Sequence, residues 1–137
     1  MISIKGRYAL RVMVHLAEQA QPVSLTEIAE RQEISLKYLQ VITKLLSDNG
    51  LIEPVGDSFR LTRPPEAYTA GEILELAEGT LSMVPCLAPD AERCSRCEEC
   101  RTLPMWQKFN ALVHEFFYGV TIKDLMTDAC FMNNILV

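Results

Sequence analysis

The chain has 137 residues, a net charge of −5 and a hydrophobic content of 49%, which suits one compact domain or a small domain with an appendage. It lacks the ~20 consecutive apolar residues of a membrane helix and carries no secretory pattern, so we expect a cytoplasmic protein without membrane contact. Residues 1–64 carry 8 basic and 7 acidic side chains, whereas residues 65–137 carry 5 and 11. Any nucleic-acid surface is therefore expected in the first half, and the acidic total argues against a non-specific DNA-coating protein.

Three helices are predicted in the first 50 residues from apolar spacing and capping residues. Their expected ranges are 4–20, 25–31 and 36–49. A capping box that begins at Ser24 opens the short second helix, and Ser35 caps the third. Gly50 stands where a left-handed residue commonly ends a helix.

Two short strands are predicted next, at 51–55 and 58–62, around a turn at Gly56-Asp57. A short helix, a turn and a second helix form a helix-turn-helix, and a hairpin directly behind it forms a wing. The sequence therefore predicts a mostly α-helical protein with a winged helix-turn-helix DNA-binding domain over residues 1–65.

Residues 66–137 are expected to form a sensor and dimerisation segment. A helix capped at Thr69 precedes a loop over 81–104, and a long helix follows over about 104–120. Its apolar residues include Met105, Phe109, Leu112, Val113, Phe116 and Val120. So wide a stripe in a small protein favours a homodimer through this helix over packing onto its own domain. A last capped turn is predicted at Thr121–Asp124, and the tail is left unassigned.

The third helix is the expected recognition helix, which enters the major groove with its N-terminal turns. Its outward positions are Ser35, Lys37, Tyr38, Gln40, Val41 and Lys44. Gln40 can read an adenine edge and Lys37 can reach guanine or phosphate, whereas Tyr38 and Lys44 suit phosphate. Thr26 begins the second helix, whose first amides can also bind phosphate. The alternative is that both lysines are merely solvated.

Four of the five cysteines fall within 15 residues, and they are Cys86, Cys94, Cys97 and Cys100. In a reducing compartment such clustering favours a metal or redox site over a disulfide. Two successive Cys-x2-Cys steps have the ligand spacing of bacterial ferredoxins, with Cys86 as the remote ligand. An iron–sulfur cluster is therefore favoured, while structural zinc and metal-free thiol chemistry stay open. The fifth cysteine, Cys130, is expected to be a buried small hydrophobe.

Taken together, these residues resemble the winged-helix regulator family that includes IscR, the iron–sulfur biogenesis regulator, and NsrR, the nitric-oxide-sensing repressor. The likeness extends from residue 1 to about residue 125. The segments that carry it are Lys5-Gly6-Arg7-Tyr8-Ala9-Leu10, Ile28-Ala29-Glu30, Ile34-Ser35-Leu36-Lys37-Tyr38-Leu39, Asn49-Gly50-Leu51-Ile52, Glu78-Gly79, the cysteine loop and Trp106. The resemblance implies a dimer joined through the long helix and promoter binding that depends on the state of a cluster.

In that family three cysteines hold the cluster, and the residues that match their order are Cys86, Cys94 and Cys100. The fourth ligands of IscR and NsrR correspond to Leu103 and Arg7 here, so Cys97 is the expected substitute. An all-cysteine site of this spacing favours a 4Fe-4S cluster, with 2Fe-2S as the alternative and zinc less favoured.

The wing departs from the family, whose glycine-rich run is replaced by residues 55–59 with Asp57 at the turn. Asp57 would repel phosphate, and Arg60 and Arg63 are expected to compensate, so Arg60 joins the expected DNA-binding residues. The leading hypothesis is a cluster-controlled repressor, and no motif of hydrolytic catalysis supports an enzyme. The alternatives are a DNA-binding regulator with a thiol switch or zinc at the same cysteines and, more remotely, a small iron–sulfur electron-transfer protein.

Overall fold

The computed structural model describes residues 1–126, so the tail and Cys130 lie outside the described residues. In chain order the helices and strands are α1 (Ile4–Ala17), β1 (Val23–Ser24), α2 (Leu25–Gln32), α3 (Leu36–Asp48), β2 (Ile52–Val55), β3 (Ser58–Leu61), α4 (Ala70–Glu78), α5 (Leu103–Tyr118) and α6 (Ile122–Met126). This order confirms the mostly helical, winged helix-turn-helix fold. Over the described range, no helix has the length and apolar content to cross a membrane.

The wing is a three-stranded antiparallel sheet in the order β1-β3-β2, rather than the predicted two-stranded hairpin. The added strand pairs Val23 with Phe59 and Ser24 with Ser58. A two-residue strand is too short to show an alternating pattern, so the sequence did not reveal it. The hairpin turn is as predicted, since Gly56 has φ 62° and lies in the left-handed region that glycine adopts without strain.

Hydroxyl caps start the helices where they were predicted. Ser24 Oγ accepts from the Glu27 N–H at 3.2 Å, and Ser35 Oγ accepts from the Tyr38 N–H at 3.2 Å. Gly50 has φ 74° directly after α3, as expected. By contrast, α1 ends three residues before its predicted end, because the chain must turn ahead of Pro22 to bring β1 onto the sheet. The long helix begins one residue earlier than expected, with Pro104 second.

One hydrophobic core joins the two predicted segments. Its buried members include Val12, Met13, Ile28, Leu39, Ile42, Leu46, Ile73, Ala77 and Ile122. The first six belong to the helix-turn-helix half, and the last three come from α4 and α6. The helix α4 packs extensively on α1, so the second segment contacts the helix-turn-helix half through α4.

The fully buried side chain of Tyr68 holds together the two backbone segments that flank the hairpin of the wing. Its hydroxyl donates to the Leu51 carbonyl at 2.7 Å and accepts from the N–H groups of Thr62 (3.0 Å) and Arg63 (2.9 Å). The Arg63 guanidinium lies 4.2 Å from the centre of the Tyr68 ring and pairs with Glu72 of α4 at 2.7 Å. The Glu72 carboxylate raises the pKa of Arg63. These contacts of Tyr68, Arg63 and Glu72, which we call the Tyr68 node, therefore link the wing to α4.

Removing the Tyr68 hydroxyl should destabilise the fold. Tyr68→Phe leaves the Arg63 N–H without its partner, and leaves the Thr62 N–H and the Leu51 carbonyl with only the longer bonds between Thr62 and Leu51 (3.3–3.4 Å). We therefore expect a loss of about 1–3 kcal/mol in the free energy of unfolding. Urea denaturation at fixed protein concentration measures it. Tyr8→Phe is the matched control, because the Tyr8 hydroxyl makes no hydrogen bond within the described residues. Equal losses in the two variants would contradict the role of the node.

Candidate nucleic-acid interface and cysteine loop

The helix α3 has one buried and one exposed face. Its buried residues are Leu39, Ile42, Thr43 and Leu46. Exposed on the opposite side are Lys37, Gln40, Val41 and Lys44, and Leu36 is exposed at the edge of the buried face. The structure therefore brings the predicted reading residues Lys37 and Gln40 onto one surface with Lys44, and the N-capping residue Ser35 is also exposed.

Two predicted phosphate contacts are less free than the sequence suggests. Tyr38 is half-buried, because its ring packs edge-on against Tyr8 with 5.7 Å between the centroids. Lys44 Nζ lies 2.8 Å from the carboxylate of Asp48, although both side chains are largely exposed. Exposed pairs of this kind are weak, so Lys44 can exchange its partner for phosphate. Thr26 is exposed at the start of α2, as expected.

The wing is less basic than its arginines suggest. Arg60 Nε lies 2.6 Å from Glu53 Oε1, across the β2–β3 pair. Asp57 is exposed at the turn. Arg63, the other candidate to compensate for Asp57, is held by Glu72. Both arginines of the wing are therefore paired with carboxylates, but the exposed Arg60–Glu53 pair, like Lys44–Asp48, can exchange its carboxylate for phosphate.

The cysteine loop connects α4 to α5 and brings free thiols to the surface. Cys86 and Cys94 are exposed, and Cys97 and Cys100 are partly exposed. A turn is closed by the Cys97 N–H on the Cys94 carbonyl at 3.1 Å. Among residues 1–126, no three His, Cys, Asp or Glu side chains are close enough to hold a metal ion. The donors suit a soft metal centre chemically, but the loop must change shape to bring the sulfur atoms together.

Two of the thiols have polar neighbours. Arg93 Nε donates to Cys97 Sγ at 3.1 Å, and the same guanidinium also pairs with Glu98 at 2.7 Å. Cys100 Sγ lies 3.5 Å from the Thr102 hydroxyl, next to the start of α5. The Thr102 hydroxyl and backbone lower the pKa of the Cys100 thiol. Thiolate character supports both metal ligation and redox chemistry.

The long helix α5 has no buried residue in the single chain. Its exposed apolar residues are Met105, Phe109, Leu112 and Phe116. At its C-terminal end, the Tyr118 hydroxyl donates to the Glu75 carboxylate of α4, which raises the pKa of Tyr118 to about 12. His114 stacks on the Tyr118 ring at 4.2 Å. The sequence reasoning missed this contact, because its partners are 43 residues apart and no local pattern marks them.

A winged helix with an exposed lysine-bearing recognition helix, followed by a cysteine loop and an unburied apolar helix, defines a DNA-binding transcription regulator. Residues 2–128 match the Rrf2 family, described as iron-dependent transcriptional regulators, and the chain belongs to this family. The family match confirms the resemblance found in the sequence and favours a regulator over an electron-transfer protein.

The relatives agree with this assignment. The HTH-type transcriptional regulator IscR of Aliivibrio salmonicida is 31% identical over 132 residues, which cover 93% of this chain and 77% of that protein. Among solved structures, CymR, the global cysteine regulator of B. subtilis, has a TM-score of 0.76 and 32% identity, and the match covers 92% of this chain and 95% of that one. IscR of T. potens has a TM-score of 0.71 and 28% identity, with 94% and 88% covered.

The Tyr118–Glu75 contact should make stability depend on pH. Because the folded-state pKa is above the ordinary value of 10, the bond contributes fully below pH 10 and is lost as the pH rises toward 12. We expect wild type to exceed Tyr118→Phe by about 1 kcal/mol in unfolding free energy below pH 10, with a smaller difference above it. Urea titrations from about pH 8 to about pH 11 measure this difference.

Glu75→Gln is the matched variant, since it keeps an acceptor but removes the charge. It should move the decline to lower pH, because the carboxylate is the main cause of the raised Tyr118 pKa. A difference that stays constant across the range would contradict the assignment.

Proposed function

We propose that this chain is a homodimeric regulator that binds promoter DNA through α3, and that the cysteine loop controls this binding by holding an iron–sulfur cluster. Residues 1–65 would bind the DNA, and residues 66–137 would sense and dimerise. The observation that carries the proposal is that one chain combines an exposed, lysine-bearing recognition helix with a loop that holds four free thiols.

The α3 surface supports sequence-specific contact. Lys37 and Gln40 are exposed within the first two turns, which are the part of a recognition helix that reaches the base edges. A glutamine side chain can pair with adenine, and a lysine can bind guanine or phosphate. Since base edges are read by the recognition helix and Arg60 of the wing suits phosphate, we expect α3 to contribute most of the specificity.

Substitutions on α3 should separate base reading from charge. Gln40→Ala should weaken binding to the preferred duplex by roughly fivefold to 100-fold, with little effect on unrelated duplexes. Lys44→Ala should weaken both duplexes alike and reduce the salt slope of binding by about 1. Fluorescence anisotropy with a duplex selected from a random pool measures both effects. If Gln40→Ala weakened binding to the preferred and the unrelated duplexes equally, as Lys44→Ala should, base reading by Gln40 would be contradicted.

The unburied apolar residues of α5 support the homodimer. Phe109, Leu112 and Phe116 are each 42–50% exposed in the single chain, and they lie on one side of the helix. A contiguous apolar surface of this kind marks an interaction site. A second copy would cover it with the same residues, as a two-fold interface requires.

A charge placed on that surface should break the dimer. Leu112→Asp should give monomers at micromolar concentration, because an unpaired carboxylate would be buried in the interface. Sedimentation equilibrium measures the dissociation constant, and Gln107→Glu, exposed on the same helix, is the control. A dimer of unchanged affinity in Leu112→Asp would place the interface elsewhere.

The residues proposed to hold the cluster are Cys86, Cys94, Cys97 and Cys100. When bound, an iron–sulfur cluster would make the loop sensitive to iron, oxygen or nitric oxide. To serve as ligands, the four thiols must lose their protons, and the neighbouring Thr102 favours this at Cys100. Drawing the sulfur atoms together would then reshape the loop up to the first turn of α5.

Iron and sulfide analysis of protein purified without oxygen tests the ligand set. We expect about four irons and four sulfides per chain, as an all-cysteine site favours, and a strong loss of both in Cys97→Ser. Ser95→Ala is the matched control in the same loop and should keep the full content. Full iron content in Cys97→Ser would remove this residue from the ligand set.

A thiol switch at the same loop is the second candidate function. It is favoured by the exposed, free thiols and by the lowered pKa of Cys100, which makes that thiol more reactive. CymR, one of the structurally similar proteins, is the global cysteine regulator of B. subtilis. A colourless, metal-free protein whose DNA binding changes on mild oxidation would favour this candidate, whereas zinc in the purified protein would favour a structural site.

A further inference from the structure

Two large apolar side chains of α3 are exposed close to the residues proposed to read DNA. Leu36 is 48% exposed and Val41 is 53% exposed. The core-facing residues of this helix are fully covered, so these two are not part of the stripe that packs inward. A scattered apolar side chain on a protein surface is ordinary. Their positions beside Gln40 are what indicate a role in DNA recognition.

The exposed side chains of Leu36 and Val41 bracket Gln40. Leu36 lies one helical turn before Gln40, and Val41 follows it directly. Lys37 lies one turn before Val41. A glutamine that pairs with an adenine edge would therefore have an apolar group on either side, at the depth where base edges are read.

The surroundings of this pair fit a polyanion better than a second copy of the chain. The charged side chains of α3 are Lys37, Lys44 and, at its last position, Asp48, which pairs with Lys44, so the helix carries a net positive charge within a protein of net charge −5. The apolar surface available for self-association lies on α5, at Phe109, Leu112 and Phe116. The apolar group that DNA presents in the major groove is the 5-methyl of thymine.

We propose that Leu36 and Val41 are specificity-determining residues that contact thymine 5-methyl groups on either side of the base read by Gln40. The inference rests on the proposed DNA binding by α3 and specifies what that surface selects. The preferred half-site then contains an adenine flanked by thymines, on the same or the opposite strand. Cytosine, which lacks the methyl group, is disfavoured at the flanking positions.

Deoxyuridine scanning tests this proposal. A duplex is selected from a random pool with full-length protein purified without oxygen, and each thymine is then replaced singly by deoxyuridine, which lacks only the methyl group. We expect at least one replacement per half-site to weaken wild-type binding about fourfold. In Val41→Ala or Leu36→Ala, the replacement at the contacted thymine should have no further effect.

Val55→Ala is the control, since Val55 is an exposed valine on the wing rather than on α3. It should keep the sensitivity of the wild type to each methyl group. Binding that ignores every thymine methyl, or a sensitivity that survives in both α3 variants, would overturn the proposal while leaving DNA binding intact. If no duplex is selected at all, the proposed function fails, and this inference fails with it.

Discussion

The hydrogen bonds of the buried Tyr68 hydroxyl are the interactions on which the arrangement of the molecule depends. They hold the end of the wing at Leu51 and Thr62, and the backbone carbonyl of Tyr68 accepts from the N–H of Ile122 in α6 at 3.1 Å. Arg63 extends the same node to Glu72 of α4. Since α4 packs on α1, the wing, α1 and the second segment share one set of contacts. A shift of α4 cannot leave the wing unaffected.

One turn after Glu72, α4 is joined to α5 by the Glu75–Tyr118 contact. The cysteine loop runs between these two helices, so under the proposed function a change in its shape would act on their relative position. In a dimer joined through α5, that position sets the separation of the two α3 helices. Because half-sites are read at a fixed spacing, a small rotation is enough to alter affinity for DNA. Through these contacts, a change at the thiols of the cysteine loop would reach the α3 residues proposed to contact bases.

The parts of the fold that depend on neighbouring residues could be predicted from the sequence. The caps at Ser24, Ser35 and Thr69 and the left-handed Gly50 are of this kind, since each is determined within a few residues. What could not be predicted are pairings between distant residues, namely Val23–Phe59 in β1, Glu53–Arg60 on the wing, the Tyr68 node and Tyr118–Glu75. The cysteine spacing indicated a soft-metal or thiol site, but its irregular backbone gives no periodic pattern from which the positions of the sulfur atoms could be derived.

The measurement that tests the central claim most directly compares DNA binding by one preparation in different states of its cysteine loop. Protein purified without oxygen is titrated onto its selected duplex before and after iron is removed by a chelator, at constant salt and protein concentration. The account predicts a change in dissociation constant of at least about fivefold, and no such change in a variant with Cys94, Cys97 and Cys100 replaced by serine. Equal affinity in the two states would contradict control by the loop and leave a regulator whose DNA binding is independent of its cysteines.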